Sequence, residues 1–335
     1  MSGRALRWMW SLAHRSNVAG GPRLVIVRHH RVYGNGERPL YRLGVSERVL
    51  DAQLALLAAR GLAPLTVSDG LAWLAGARSG RRVAMTFDDG YRDNVERALP
   101  LLERHGARAT FYLTAGLIEE RRAPWWDRLT WLLEHAAAPN ASWEVEGRIL
   151  ALDVRDRAGR ARALAALLPL LRVPPDLMER RLHELGGTLR VRDEAPCDLA
   201  TWDECRAFVE CGMELGAHTL SHPFLTTLSA ERQQAEITGS VERIAARLAV
   251  RPRGLAYPGG DHDAASVAAA ARAGLEHAVT TRRGDVTPGA GRYELLRRGL
   301  SDGACLGPTG AFSRSLALAE LDGAFDRLRG AEAAS

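Results

Sequence analysis

The sequence is poor in cysteine. It holds four, Cys197, Cys205, Cys211 and Cys305, and none stand in a CxxC pair. That spacing argues against a structural zinc knot, and a chain this long needs no disulfide framework to hold its core. Long apolar runs are also lacking. The N-terminal stretch has basic residues but no hydrophobic core segment, so it does not read as a secretory signal. No stretch approaches the ~20 apolar residues needed to span a bilayer. A cytoplasmic protein working on a precursor is the expectation. Lysine is absent, and the basic charge is carried by arginine scattered along the chain. There is no basic stripe with interleaved aromatics, which excludes the usual pattern of a nucleic-acid binder. Internal repeats are missing, and the only compositional bias is an Ala-rich C-terminus.

What is present is an ordinary globular composition: 335 residues, 46% hydrophobic and 25% charged, with a net charge of +5. The length suits one large domain carrying an insertion, or two modest ones. Short β-branched runs alternate with helical patterns. Leu24–Val27 and Arg82–Phe87 read as strands buried on both faces. Gly61, Gly106 and Gly274 stop helices, while Ser46, Thr201 and Ser229 start them, and Ser68-Asp69 begins another short one. Such alternation argues for a parallel α/β sheet, and the number of strands suits a barrel. From Glu119 to about Ala200 the composition shifts to Leu, Ala and Arg, with Trp125, Trp126 and Trp131 on an apolar helix. The expected organisation is therefore an N-terminal helical segment (1–22), a barrel (23–120 and 200–305), a mostly helical insertion (121–199) and a C-terminal helix (306–335). The insertion is read as a lid or packing unit. Ala5–Leu12, with Trp8 and Trp10, can form a short amphipathic helix that packs on the domain or makes peripheral membrane contact.

Chemistry is expected where strands end, because side chains just past the C-terminal ends of parallel strands converge on one site. Asp88 and Asp89 follow the apolar strand 82–87 and precede Gly90. Two neighbouring carboxylates repel, so they need a cation or a raised pKa. A metal resolves the conflict by binding one acid and leaving the other free as a base. His218 and His222, four apart, end another strand; in a helix or a turn their rings can grip one ion. Added to an Asp, they supply a His₂Asp set suited to a catalytic divalent metal, zinc being the first candidate. Tyr257, Pro258 and Gly259 end a third strand.

These segments resemble the polysaccharide deacetylase superfamily, also called the NodB-homology group or carbohydrate esterase family 4. The matches are Thr86-Phe87-Asp88-Asp89-Gly90, His218-Thr219-Leu220-Ser221-His222 and Ala256-Tyr257-Pro258-Gly259, over roughly residues 24–120 and 200–302. The resemblance implies a distorted (β/α)7 barrel. It further implies Asp88 as general base and Asp89, His218 and His222 as metal ligands. Tyr257, Pro258 and Gly259 would touch substrate, with an amide beside Tyr257 helping to hold the oxyanion. The family's usual late Leu-x-His segment is missing. His29-His30-Arg31-Val32 instead resembles the Tyr-His-x-Val segment of the circularly permuted branch, which makes His30 the general acid and puts His29 in place of the Tyr. Leu296-Arg297-Arg298 resembles that branch's late Arg segment, and Arg297 is its better match; Arg253 lies too far upstream of the third motif. The implied reaction is hydrolysis of N-acetyl groups on a sugar polymer or lipid-linked glycan precursor in cell-surface polysaccharide biosynthesis. A catalytically silent glycan-binding homologue, or a deacetylase of another amide or O-acetyl ester, is the alternative.

Overall fold

The computed structural model describes residues 3–14, 21–34, 36–37 and 39–326. In chain order, helix α1 (Gly3–Ala13) precedes strands β1 (Arg23–His29), β2 (Arg31–Tyr33) and β3 (Gly44–Ser46). Helices α2 (Glu47–Ala58) and α3 (Val67–Gly76) lead to β4 (Arg81–Phe87), a π-turn over Asn94–Ala98, α4 (Leu99–Arg104), β5 (Thr110–Leu113) and α5 (Ala115–Glu120). The insertion holds α6 (Trp125–Glu134), an antiparallel hairpin of β6 (Asn140–Val145) and β7 (Arg148–Asp153), α7 (Arg157–Leu167) and α8 (Pro175–Leu189). Then follow α9 (Trp202–Glu210), β8 (Glu214–Ala217), α10 (Ala230–Leu248), β9 (Gly254–Ala256), α11 (Ala264–Arg272), β10 (His277–Val279), β11 (Arg298–Gly299), α12 (Asp302–Cys305) and α13 (Arg314–Leu321).

Seven strands form one parallel sheet in the order β10-β9-β8-β5-β4-β1-β11. It curls into the barrel of a (β/α)7 fold. One segment draws its two edges together. The Leu295 N–H donates to the Ala278 carbonyl at the β10 edge (2.9 Å), and three residues later Arg298 pairs in register with Val27 of β1. Inside, Phe87, Phe111 and Phe208 stack in series, with centroids 5.0 and 4.0 Å apart. The insertion has its own apolar cluster, built on Trp126, Leu129, Leu167, Met178 and Leu185.

Three local expectations are corrected. Ser46 does stand before α2, but its hydroxyl bonds Asp302 (3.1 Å) instead of capping the helix. The helix expected from Ser68 starts one residue earlier, at Val67, because the Thr66 hydroxyl accepts the Asp69 N–H at 3.0 Å. The C-terminal helix is much shorter than 306–335: Ser313 caps it, and Gly323 at φ +70° ends the turn that follows Leu321. The end of that expected helix, 327–335, lies outside the described residues.

Candidate active site

The two adjacent acids leave β4 in opposite directions. The Asp88 N–H donates to the His29 carbonyl at 3.0 Å, extending the β1–β4 ladder by one rung. Asp89 then turns into the left-handed region (φ 78°), an uncommon state for a non-glycine residue that points to local constraint. Asp89 consequently faces the second motif while Asp88 faces the closing segment of the barrel.

The second motif is a turn, not a helix, and Thr219 (φ 66°) and His222 (φ 56°) are also left-handed. It is pinned from both sides. The Leu220 carbonyl accepts the Gly116 N–H (2.9 Å) and the Leu117 N–H (3.1 Å) at the start of α5. A Cβ on Gly116 would lie 2.6 Å from that carbonyl oxygen, so only glycine lets the two backbones approach. From α10, Glu236 accepts the N–H groups of Leu220 and Ser221, both at 2.9 Å.

Held this way, Asp89, His218 and His222 each offer a donor atom, and the three lie within 4.8 Å of one another. His218 Nδ1 donates to the Ala256 carbonyl (2.6 Å), which leaves Nε2 with its lone pair facing Asp89 Oδ1 at 3.3 Å. His222 Nε2 is 3.7 Å from the same oxygen. Asp89 is 1% exposed, and neither carboxylate oxygen has a hydrogen-bond partner. A buried carboxylate with idle oxygens facing two imidazole nitrogens is costly unless a cation sits among them. This donor set fits a divalent metal. Burial pushes the Asp89 carboxyl up, but His218 and the neighbouring imidazoles outweigh it and hold it below the ordinary carboxylate value. Burial, with His218 beside it, takes His222 down to about 3, so this ring is a neutral donor.

Asp88 belongs to a second cluster. Arg297 donates to both of its oxygens, each at 2.7 Å, and fixes its own guanidinium by donating to the Thr280 carbonyl (2.9 Å) and the Thr86 hydroxyl (3.0 Å). Burial pushes Asp88 up, but Arg297 and then His30 hold it well below the usual carboxylate range. His30 Nε2 lies 3.8 Å from Asp88 Oδ2 and is 18% exposed. Burial lowers its pKa, against the pull of Asp89 and Asp88. His29 is buried against Phe87, away from this exposed edge. Arg253 pairs with Glu276 on the surface, so Arg297 is the arginine at Asp88.

A cavity of about 200 Å³ opens on the two clusters, lined by His30, Tyr41, Asp89, Trp126, His222 and Gly259 among others. Gly259 reaches it as expected. Tyr257 does not: its ring is fully buried and stacks on His262, with centroids 4.8 Å apart. Pro258 is buried as well. The Tyr257 N–H is donated to the Val279 carbonyl (3.2 Å) and Pro258 has none, so neither of these two amides is free to hold an oxyanion. A roomier groove of about 1140 Å³ runs between α6 and α8, but none of these acids or imidazoles lines it.

One contribution to the site went unrecognised in the sequence. The Trp126 ring packs on His222 with centroids 4.2 Å apart. Its Nε1–H donates to the Tyr91 hydroxyl (2.7 Å), which donates in turn to Asp127 (2.9 Å). Arg31 lies over the Tyr91 ring at 4.5 Å. The insertion is thus a wall of the cavity as well as a packing unit. A buried tryptophan needs a partner for its N–H, and Tyr91, straight after Gly90, was the available signal.

The polysaccharide deacetylase family model matches residues 75–278, more than half of the chain. YxkH of Bacillus subtilis (strain 168), whose own assignment as a polysaccharide deacetylase is provisional, is 20% identical over 296 residues, which is 88% of this chain and 77% of YxkH. The structure of the Streptococcus pyogenes deacetylase PplD in complex with acetate superposes with a TM-score of 0.57 at 19% identity, covering 84% of this chain and 94% of that one. IcaB from Ammonifex degensii gives the same TM-score and identity over 90% and 98%. At such identities the superpositions speak for the fold, and they agree with the (β/α)7 barrel described above. Fold, motif spacing and family match coincide: the chain belongs to the polysaccharide deacetylase family.

Proposed function

We propose that this protein removes N-acetyl groups from a glycan by metal-assisted hydrolysis, with Asp89, His218 and His222 as ligands, Asp88 as general base and His30 as general acid. The observation that carries this reading is the division of labour between adjacent acids. Asp88 is held charged by Arg297, while Asp89 faces two imidazoles with no hydrogen bond of its own. A bound divalent cation would supply Lewis acidity toward the acetamide carbonyl and lower the pKa of a water nearby. The N/N/O donor set suits zinc.

The remaining chemistry belongs to the chain. Asp88 accepts a proton from the attacking water, and Arg297 keeps it ionised for that task. His30, on the same side of the cavity, donates a proton to the departing amine nitrogen so that a neutral amine leaves with acetate. Trp126, Tyr41 and Gly259 shape the space beside the reacting carbon and restrict bulk water. The likeness to a deacetylase solved with acetate is consistent with acetate as the product. The positions of His30 and Arg297 support the resemblance to the permuted branch. We assign the substrate as an N-acetylated sugar polymer or a lipid-linked glycan precursor in cell-surface polysaccharide synthesis.

Acetate release from N-acetyl sugar oligomers tests this reading. Asp88→Asn should keep its metal yet lose turnover, and a variant that still turns over removes Asp88 as the base. His30→Ala should slow the reaction by about 10²–10⁴-fold; an unchanged rate returns His30 to a structural role. Running O-acetyl esters alongside identifies the bond that is cut.

A further inference from the structure

Among the described residues, five large apolar side chains stand exposed, and four of them, Leu6, Met9, Trp10 and Leu12, are on α1. Leu6, Met9 and Trp10 follow helical spacing, and exposed Ala13 continues the stripe. Their exposures run from 53% to 59%. The opposite face is fastened to the body. Ser11 meets Ser315 (3.0 Å), Arg7 pairs with Glu320, and His14, just past the helix, meets Asp322 (2.9 Å). Trp8 packs on the cluster of Leu316, Ala319 and Phe325. An amphipathic helix on a globular protein normally turns its apolar stripe inward. Here the helix is anchored by those polar contacts together with Trp8 and with Trp10, whose ring centroid lies 5.9 Å from that of Phe325, while Leu6, Met9, Leu12 and more than half of Trp10 stay exposed.

The charge on this flank is sorted too. Glu320 lies inside at 2% exposure while its partners Arg7 and Arg283 keep 34% and 30%; Asp322, at 7%, pairs with His14 and with the buried Arg81. Arg314 on the neighbouring α13 is exposed. Residues 1–22 contain three arginines and no acid. Tryptophan beside leucine and methionine, with arginines around them, is the pattern that settles at a lipid headgroup boundary. At eleven residues α1 is far below the ~20 that a span needs, so its contact would be in the plane of the surface. We propose that α1 docks this protein on an anionic lipid bilayer, with Leu6, Met9, Trp10 and Leu12 at the acyl boundary and Arg7, Arg283 and Arg314 at the lipid phosphates.

Flotation of the full chain with vesicles provides the test. Phosphatidylglycerol-containing vesicles should carry the protein up the gradient, more weakly as salt rises; pure phosphatidylcholine vesicles should carry far less. Leu6→Glu with Met9→Glu and Leu12→Glu should cut the floating fraction by more than about tenfold, since each lost burial weakens partitioning. The milder pair Leu6→Ser and Met9→Ser, checked by an unchanged melting curve, covers the chance that three glutamates unfold the helix. Wild type left at the bottom with phosphatidylglycerol vesicles, equal flotation with phosphatidylcholine alone, or serine variants that float as well as wild type would each overturn the proposal. So would light scattering that finds a dimer broken by the same changes, which would make a second copy the occupant.

Discussion

Arg297 and Asp88 meet through two parallel hydrogen bonds of 2.7 Å each, with side chains 1% and 3% exposed. Such a two-pronged pair is specific to guanidinium, because an ammonium presents one point charge. Arg297→Lys should therefore fold yet let the Asp88 pKa climb. The expected sign in kcat/KM is a shift of the acidic limb to higher pH, since the base must be deprotonated to work. A pH–rate profile that keeps its acidic limb in place sinks this link. Arg297→Ala leaves a buried carboxylate uncompensated and should cost about 3–5 kcal/mol in denaturant unfolding.

Metal binding should appear as stability. A ligand that binds only the folded state stabilises it by about 2.7 kcal/mol at a hundred times its Kd. Zinc added to chelator-treated protein should raise the melting temperature, and Asp89→Asn should abolish that rise. Equal shifts in both proteins would place the ion elsewhere.

Trp126 is expected to act as a positioning residue for His222, whose Nδ1 has no hydrogen-bond partner to orient it. Metal ligands are usually oriented by such an outer contact, and losing one costs about 10–100-fold in affinity. Trp126→Leu should weaken zinc binding on that scale in a competition titration. Trp126→Phe, which keeps a ring over His222, should recover most of it. If both variants bind zinc like wild type, the ring contact is packing alone.

Asp127 gives a prediction on pH and stability. Burial pushes its carboxyl up to about 7, with Asp89 and Asp198 adding to the rise and Arg31 and Tyr91 opposing it. The unfolded group ionises near 3.9. Between these values the folded state holds the proton more tightly than the unfolded state. The contribution to stability is complete below about pH 4 and is lost as pH rises toward 7. Asp127→Asn, which can still accept from Tyr91, should flatten this part of the stability–pH curve. Urea midpoints that fall with pH as steeply in the variant would assign the slope to other groups.

The acids and imidazoles were legible because each follows a short apolar strand, and parallel strands deliver such residues to one end of the barrel. The curled parallel sheet was legible for the same reason. What escaped depends on partners remote in sequence. Ser46 has a cap-forming hydroxyl, but Asp302 takes it from the far end of the chain. The apolar periodicity of Trp125–Leu133 predicts a helix, yet cannot say that Trp126 would land on His222. Tyr257 shares a motif with Gly259, but strand geometry points its ring into the core toward His262.

The segment that draws the barrel edges together also carries Arg297, whose N–H donates to the Arg282 carbonyl (2.9 Å) one residue before β11 joins β1. Synthesis reaches that segment only after every other strand of the sheet has been made. A polypeptide cut short or misthreaded there has an Asp88 without its countercharge, and its sheet still gapes. Closure of the sheet and the pairing of Asp88 with its countercharge are thus a single late event in the making of the molecule.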